Sequence, residues 1–357
     1  MATTIINPPD QSSPVLTSDL YSVKARTDKT KVLVEIVRDP GGEIDKFFST
    51  TLYPHDGVVE LFDIGSLIEE RFRSKTRLWD TMEIRIDGVV AEFVALYCEY
   101  SLDPGFDYTQ CFLCAAGASI VHRNSAISLA HWGNGSNEYR VQIVGIDIEG
   151  NTAAVEKTFT KNACSNHVSF SVNDIISFAL NLTDEETGDS LEKVSYFSIS
   201  YGSMQKLFYV VDHPFFLTFG FRNMFNAYEY IDVVGVVTRK TKFERDTAVC
   251  SGRAKQYNQS VERSYEMQTG PLTDEQIREV EQLIGSRDIQ LCASGFDYDI
   301  IITDHSVEVD NDNESLSSIK FTFRFVGERP VLIADDLGAL MPSRSHIFSH
   351  EFTAEFA

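Results

Sequence analysis

Positive charge and long apolar runs are scarce in this chain, and each scarcity removes a class of function. The 357 residues carry 31 Lys and Arg against 53 Asp and Glu, a formal net charge of −22. Neutralising a phosphate backbone needs a cationic surface, so this balance argues against nucleic-acid binding. It suits a soluble surface that repels its own kind. No apolar stretch is long enough to span a bilayer, so no membrane insertion is expected. The N-terminus lacks the cationic region and apolar run of a secretory signal, which makes synthesis and folding in a cytoplasm the expectation.

Disulfide frameworks and catalytic motifs are missing too. The six cysteines (Cys98, Cys111, Cys114, Cys164, Cys250 and Cys292) are scattered, as buried thiols are. Cys111 and Cys114 form a C-x-x-C, but no second pair follows at zinc-ribbon distance and the flanks "YTQCFLCAAGAS" read as a strand. There is no G-x-S-x-G elbow, Walker loop, H-E-x-x-H or dinucleotide fingerprint. His131 in "HWGNGS" and His305 in "TDHS" read as hydrogen-bonded surface histidines. "DNDNES" from Asp310 lacks the central glycine and the spaced terminal glutamate of a calcium loop and reads as a hairpin turn, and "TDEETGDS" from Thr183 reads the same way. No catalytic residue, metal or cofactor is expected, and the chain is read as a non-enzyme.

What is present is core material: 43% hydrophobic and 11% aromatic residues in a length that favours two or three domains. The order repeats. "VLVEIVRDPGGEIDKFF" matches "YRVQIVGIDIEGNTAAV", "VVELFDIGSLI" matches "HVSFSVNDII", and "MEIRIDGVVAEFVALYC" matches "YFSISYGSMQKLFYVVD". These place Val34 on Val141, Val59 on Val168 and Gly88 on Gly202, three blocks in one order with slowly growing spacing. Met82, Ile84 and Ile86 alternate with Glu83, Arg85 and Asp87 as a half-buried strand does. The turns "DPGGE", "YPHDG", "RIDG" and "DIEGN" punctuate the strands. The fold expected is mainly β, with two tandem immunoglobulin-like β-sandwich domains over 1–103 and 104–213.

A different domain is expected over 214–333, a β-sandwich with one flanking helix at 273–285, followed by a C-terminal extension over 334–357. Ile319, Phe321, Phe323 and Phe325 alternate with Lys320, Thr322 and Arg324. In "LTDEQIREVEQLIGS", Thr273 and Gln276 form a capping box, Leu272 and Ile277 a hydrophobic staple, and Gly285 a left-handed stop. Ile277, Val280 and Ile284 share an apolar face, so the carboxylates of this helix are expected to be solvated. Charge in this domain is polarised. From Arg239 to Arg263 seven basic residues face three acids, and from Pro271 to Ser315 twelve acids face two arginines. Opposite charges could pair between adjacent strands of one subunit. The alternative is a head-to-tail oligomer. There Arg239, Lys240, Lys242, Arg245, Arg253 and Lys255 of one copy meet Asp274, Glu275 and Glu279 of the next, and the rotation closes a ring.

The segments "FRNMFNAYEYIDVVGVVTRKTKFERD", "YEMQTGPLTDEQIREVEQLIGSRDIQL", "IIITD" and "IKFTFRFVGERPVL" resemble proteins of Bacteroidetes phages and prophages encoded beside tail genes. Their order is similar to the tube-like β-sandwich with one flanking helix of phage tail and baseplate proteins. The resemblance covers Phe215 to Ile333 and carries no catalytic motif. It implies a structural role in a virion, with self-assembly into an oligomeric ring and other virion proteins as partners. The alternative is a glycan-binding or adhesin-like β protein whose sandwich loops hold surface glycans, with Trp132 and Tyr139 as contacts.

Overall fold

The computed structural model describes residues 3–38, 45–75, 77–102, 107–132, 138–161, 167–181, 191–214, 216–250, 253–293, 296–308 and 317–327. The extension over 334–357 and the two acidic turns at 183–190 and 310–315 lie outside them. The chain is mainly β and divides into two compact units, one of Met1–Asp107 with Asn223–Ala227, the other of Tyr108–Arg222 with Tyr228–Ala357.

The first unit is a sandwich. Its larger sheet runs in the order Val15–Leu16, Val89–Leu96, Trp79–Ile86, Val32–Arg38, Asp45–Leu52, and its smaller one Thr4–Ile5, Ser22–Arg26, Val58–Phe62. Val32, Val34 and Ile36 point into the core while Leu33 is exposed. Met82, Ile84 and Ile86 face the same core from the neighbouring strand, so the period-two pattern selects the buried face. Helix α1 (Ile64–Lys75) adds Ile64, Ile68 and Phe72 to that core.

The second unit begins with another sandwich on the same plan. Its larger sheet runs Ala118–His122, Met204–Val211, Leu191–Tyr201, Glu138–Asp147, Thr152–Thr160, and its smaller one pairs Ala126–Ala130 with His167–Ser171. Helix α2 (Val172–Leu180), with Ser171 capping its N-terminus, enters the sequence where α1 does. In both larger sheets the first strand pairs in parallel with the last, and all other pairs are antiparallel. The match of Gly88 to Gly202 needs a one-residue correction. Ile86 pairs with Val89 across Asp87 and Gly88, both at positive φ, whereas Tyr201 pairs with Met204 across a turn led by Gly202 at φ 58°. Counted along the hairpins, Gly202 therefore occupies the place of Asp87. One turn is type I′ and the other type II′, which wants its glycine first.

The remainder of the second unit is a closed barrel, where a sandwich was the expectation. Its strands run Phe216–Arg222, Tyr228–Cys250, Arg253–Thr269, Ser318–Phe325, Phe296–Glu308, Ile289–Ala293. Closure comes from the last, which pairs with Phe296–Glu308 on one side and Phe216–Arg222 on the other, removing the open edges. Ile319, Phe321 and Phe323 fill the interior with Phe219 and Phe221, as their alternation dictates.

Helix α3 (Asp274–Gly285) has its capping box in place and buries Ile277, Val280 and Leu283 in the barrel core, with Leu272 and Ile284 half-buried beside them. The left-handed stop at Gly285 is not adopted. Gly285 stays helical, and the chain leaves through Ser286 at φ −67°, ψ 146°.

Candidate functional site: an exposed ribbon and a buried charge cluster

Strands Tyr228–Cys250 and Arg253–Thr269 are far longer than the barrel needs. Phe216–Arg222 pairs with the first only as far as Val234, and Ser318–Phe325 pairs with the second only over Tyr265–Gln268. From the Lys240–Ser264 pair out to Cys250–Arg253, no third strand joins among the described residues. At about 3.3 Å per residue this is a two-stranded arm of about 35 Å. Every side chain from Thr241 to Val249 is exposed, so both faces of the arm meet solvent.

Arg239, Lys240, Lys242, Arg245 and Arg253 are all exposed here; the side chain of Lys255 lies outside the described residues. Part of this charge is matched within the subunit. Lys240 reaches Glu266 across the strands at 2.5 Å, Lys320 reaches the same carboxylate at 2.9 Å, and Lys242 pairs with Glu244 at 2.8 Å. Arg245 lies over the ring of Phe243, 5.8 Å from its centroid. Asp274 is exposed and Glu275 half-buried at the start of α3. Among the described residues, no ion pair links either of them to the arm.

Glu279 does not belong with them. It was expected on a solvated face, yet it is only 4% exposed and sits with Lys206 and Glu229, each 2% exposed. Lys206 Nζ donates to Glu229 Oε1 at 2.5 Å and lies 3.8 Å from Glu279 Oε1. Glu229 Oε2 accepts from the Ala115 amide at 2.9 Å, and Ser119 Oγ donates to Glu279 Oε1 at 2.5 Å. Burial pushes the Glu279 carboxyl up to about 8; Lys206 pulls it down and Glu229 pushes it further up. Burial opposes the Lys206 ammonium, but the charge of Glu229 raises it, with Cys114 and Glu279 adding to this only at the alkaline pH where they ionise. At neutral pH the cluster therefore holds a lysine ammonium, its partner Glu229, and a Glu279 that keeps its proton.

The sequence reading missed Lys206 and Glu229, although each leaves a mark. Lys206 occupies an inward position between Met204 and Phe208, and Glu229 an inward position in line with Ile231 and Val233. A charge in an apolar row of a strand was the available signal.

Other sequence candidates resolve into packing. His131 is buried, not on the surface: its Nε2 meets the Tyr139 hydroxyl at 2.9 Å, its ring stacks on Tyr201, and burial lowers its pKa. Tyr139 is fully buried and cannot meet a glycan, whereas Trp132 is half-buried. His305 is exposed on its strand. The Cys114 thiol donates to the Ala116 carbonyl at 3.1 Å, and burial pushes it up to about 12, the behaviour of an inert core thiol. Among the described residues no group of side chains could hold a metal, and no helix is long and apolar enough to cross a membrane.

No family model and no curated protein matches the chain. Solved structures show only weak likeness, and two serve as examples. One is the tail of an empty GTA particle refined with helical C6 symmetry, with 14% identity and a TM-score of 0.21, covering 31% of this chain and 91% of that one. The other is the calcium-binding domain CBD12 of CALX1.1, with 10% identity and a TM-score of 0.19, covering 57% of this chain and 79% of that one. Likeness at these scores assigns the chain neither a fold nor a function.

Proposed function

We propose that the chain is a structural protein of a phage virion, a tail or baseplate component that assembles head to tail with its own copies into a ring. The virion setting is what the sequence resemblance over Phe215 to Ile333 implies, and one observation supports the assembly: the two-stranded arm beyond Lys240–Ser264. An isolated hairpin is marginal in water, so an arm of about 35 Å exposed on both faces gains its order from a surface on which it docks. Its chemistry describes that surface. Arg239, Lys242, Arg245 and Arg253 call for an acidic rim, and exposed Phe243 and Val249 call for an apolar floor. A second copy offers such acids on the barrel side, among them exposed Asp274 and half-buried Glu275. A contact between two different patches on identical chains propagates, and it ends in a ring when the rotation closes. Other virion proteins would then meet the sandwiches, and no catalytic role or cofactor is assigned. The adhesin-like reading loses one of its two aromatic contacts to the core.

Sedimentation velocity at low and high salt tests this on the full chain. Wild type is expected to assemble at low salt and weaken at high salt, with rings or short tubes in negative stain. Lys240→Glu, Lys242→Glu and Arg245→Glu together are expected to leave a monomer. A wild-type chain that stays monomeric in every condition ends the proposal.

A further inference from the structure

The buried cluster holds the parts of a condensation reaction. We propose that Lys206 and Glu229 join as an amide, an intramolecular cross-link between strands Met204–Val211 and Tyr228–Cys250, with Glu279 as the proton carrier. This inference concerns one compact unit and does not depend on assembly.

Three observations separate this cluster from an ordinary lysine–glutamate pair. Lys206 Nζ lies 2.5 Å from Glu229 Oε1, and at 2% exposure neither residue can trade its partner for water. Such fixed apposition reaches effective molarities on the order of 10⁵ M or more, and a dry site does not return the water that the reaction releases. The Ala115 amide donates to the other oxygen of Glu229 at 2.9 Å, where charge would develop in a tetrahedral intermediate. Glu279, with Oε1 3.8 Å from Nζ, brings a second carboxyl, oriented by Ser119 and still protonated at neutral pH. A pair in water has neither the donor on the carboxylate nor the adjacent acid.

The step balances without an oxidant or co-reactant. A proton passes from the Lys206 ammonium to Glu229, leaving an amine and a carboxylic acid; the cluster favours the ammonium, so this exchange is uphill and the fixed apposition must carry the reaction through a minor neutral state. The Nζ lone pair attacks Cδ of Glu229, and the carbonyl electron pair moves onto the oxygen held by Ala115. Glu279 gives its proton to the departing hydroxyl and takes one from Nζ, ending as it began. One C–N bond forms, one C–O bond breaks and one water leaves.

Intact-mass spectrometry of the purified, denatured full chain reads the outcome directly. The expected mass is below the sequence mass by one water, and digestion yields a branched peptide joining the segments that hold Lys206 and Glu229. Lys206→Arg keeps the charge but is expected to show the full mass. If that variant does not fold, the wild-type branched peptide still decides. Glu279→Gln is expected to slow the appearance of the dehydrated species, followed by mass from the time of cell-free synthesis, by about 100-fold or more, the range general acid–base groups supply; an unchanged rate removes Glu279 from the proposal. A folded wild-type chain at full sequence mass overturns the cross-link and leaves an ion pair. So does a missing water without the branched peptide, or one that persists in Lys206→Arg.

Discussion

A single strand, Tyr228–Cys250, carries charge in two opposite environments. Near its start Glu229 is 2% exposed and locked to Lys206, while every side chain from Thr241 to Val249 is exposed. The difference is one of dielectric. In the barrel wall a charge is costly unless its partner is fixed, so removing the partner exposes the full desolvation cost. On the arm water screens each charge, so a pair such as Lys242–Glu244 adds little to the fold and its charge remains available to another surface. The same residue types therefore act as structure at one end and as recognition at the other.

The strongest way to break this comparison is to remove one lysine at each end. Lys206→Met takes from buried Glu229 its cation and its cross-linking amine, leaving the Ala115 amide on the carboxylate, and is expected to cost about 3–5 kcal/mol or more in urea denaturation. Lys242→Met, on the arm, is expected to leave the denaturation midpoint close to that of wild type. Equal losses at the two positions would mean that burial does not divide them.

The two ends should also answer pH with opposite signs. Glu279 has an ordinary value of 4.5 and rises to about 8 when buried, so between those values the folded chain keeps a proton that the unfolded chain has lost. Stability from this group therefore falls as pH rises across that window. Glu266, on the arm side, is held below its ordinary value by Lys240 and Lys320. Its contribution is present above the unfolded value and is lost as pH falls through the folded one. Glu279→Gln should flatten the decline toward pH 8, and Glu266→Gln should flatten the loss in acid. The check is the denaturation midpoint of both variants followed from pH 3 to 9. A Glu279→Gln chain that keeps the wild-type slope on the alkaline side would remove that carboxyl from the account.

A smaller effect belongs to the helix that delivers Glu279. Thr273 Oγ1 accepts from the Gln276 amide while the Gln276 side chain accepts from the Thr273 amide. Thr273→Ala is expected to cost about 1 kcal/mol, with the same urea measurement as the check. That capping box was legible in four letters because a cap is a local bargain between neighbours in sequence. So was the alternation of Ile319, Phe321 and Phe323, and so was the order of the two sandwiches. Barrel closure was not legible, because pairing Ile289–Ala293 with Phe216–Arg222 brings together residues far apart in sequence that share no local signal. Glu279 was misplaced for a related reason. Its helix reads as amphipathic, but the strand Ala118–His122 supplies Ser119 to the side of α3 taken for solvent. Gly285 shows the limit of a residue preference: glycine permits the left-handed stop, and Ser286 ends the helix in an extended conformation instead.

The smallest expected change in the fold accompanies the largest expected change in behaviour. Reversing Lys240, Lys242 and Arg245 together alters exposed side chains on an arm that no third strand covers among the described residues. In the lost pairs, Lys240–Glu266 and Lys242–Glu244, both lysines are exposed and water screens the attraction, so each adds little to the fold. Even their sum stays below the cost of one broken contact at Lys206. Chain association answers to different physics, because an oligomer repeats each contact at every subunit, and like charges brought together cost several kcal/mol per interface. The triple variant should therefore unfold near the wild-type midpoint and yet fail to assemble at any salt concentration that supports wild-type rings. A variant that lost stability and assembly in proportion would mean that the arm is part of the subunit's own fold, and the contrast between its two ends would collapse to one of degree.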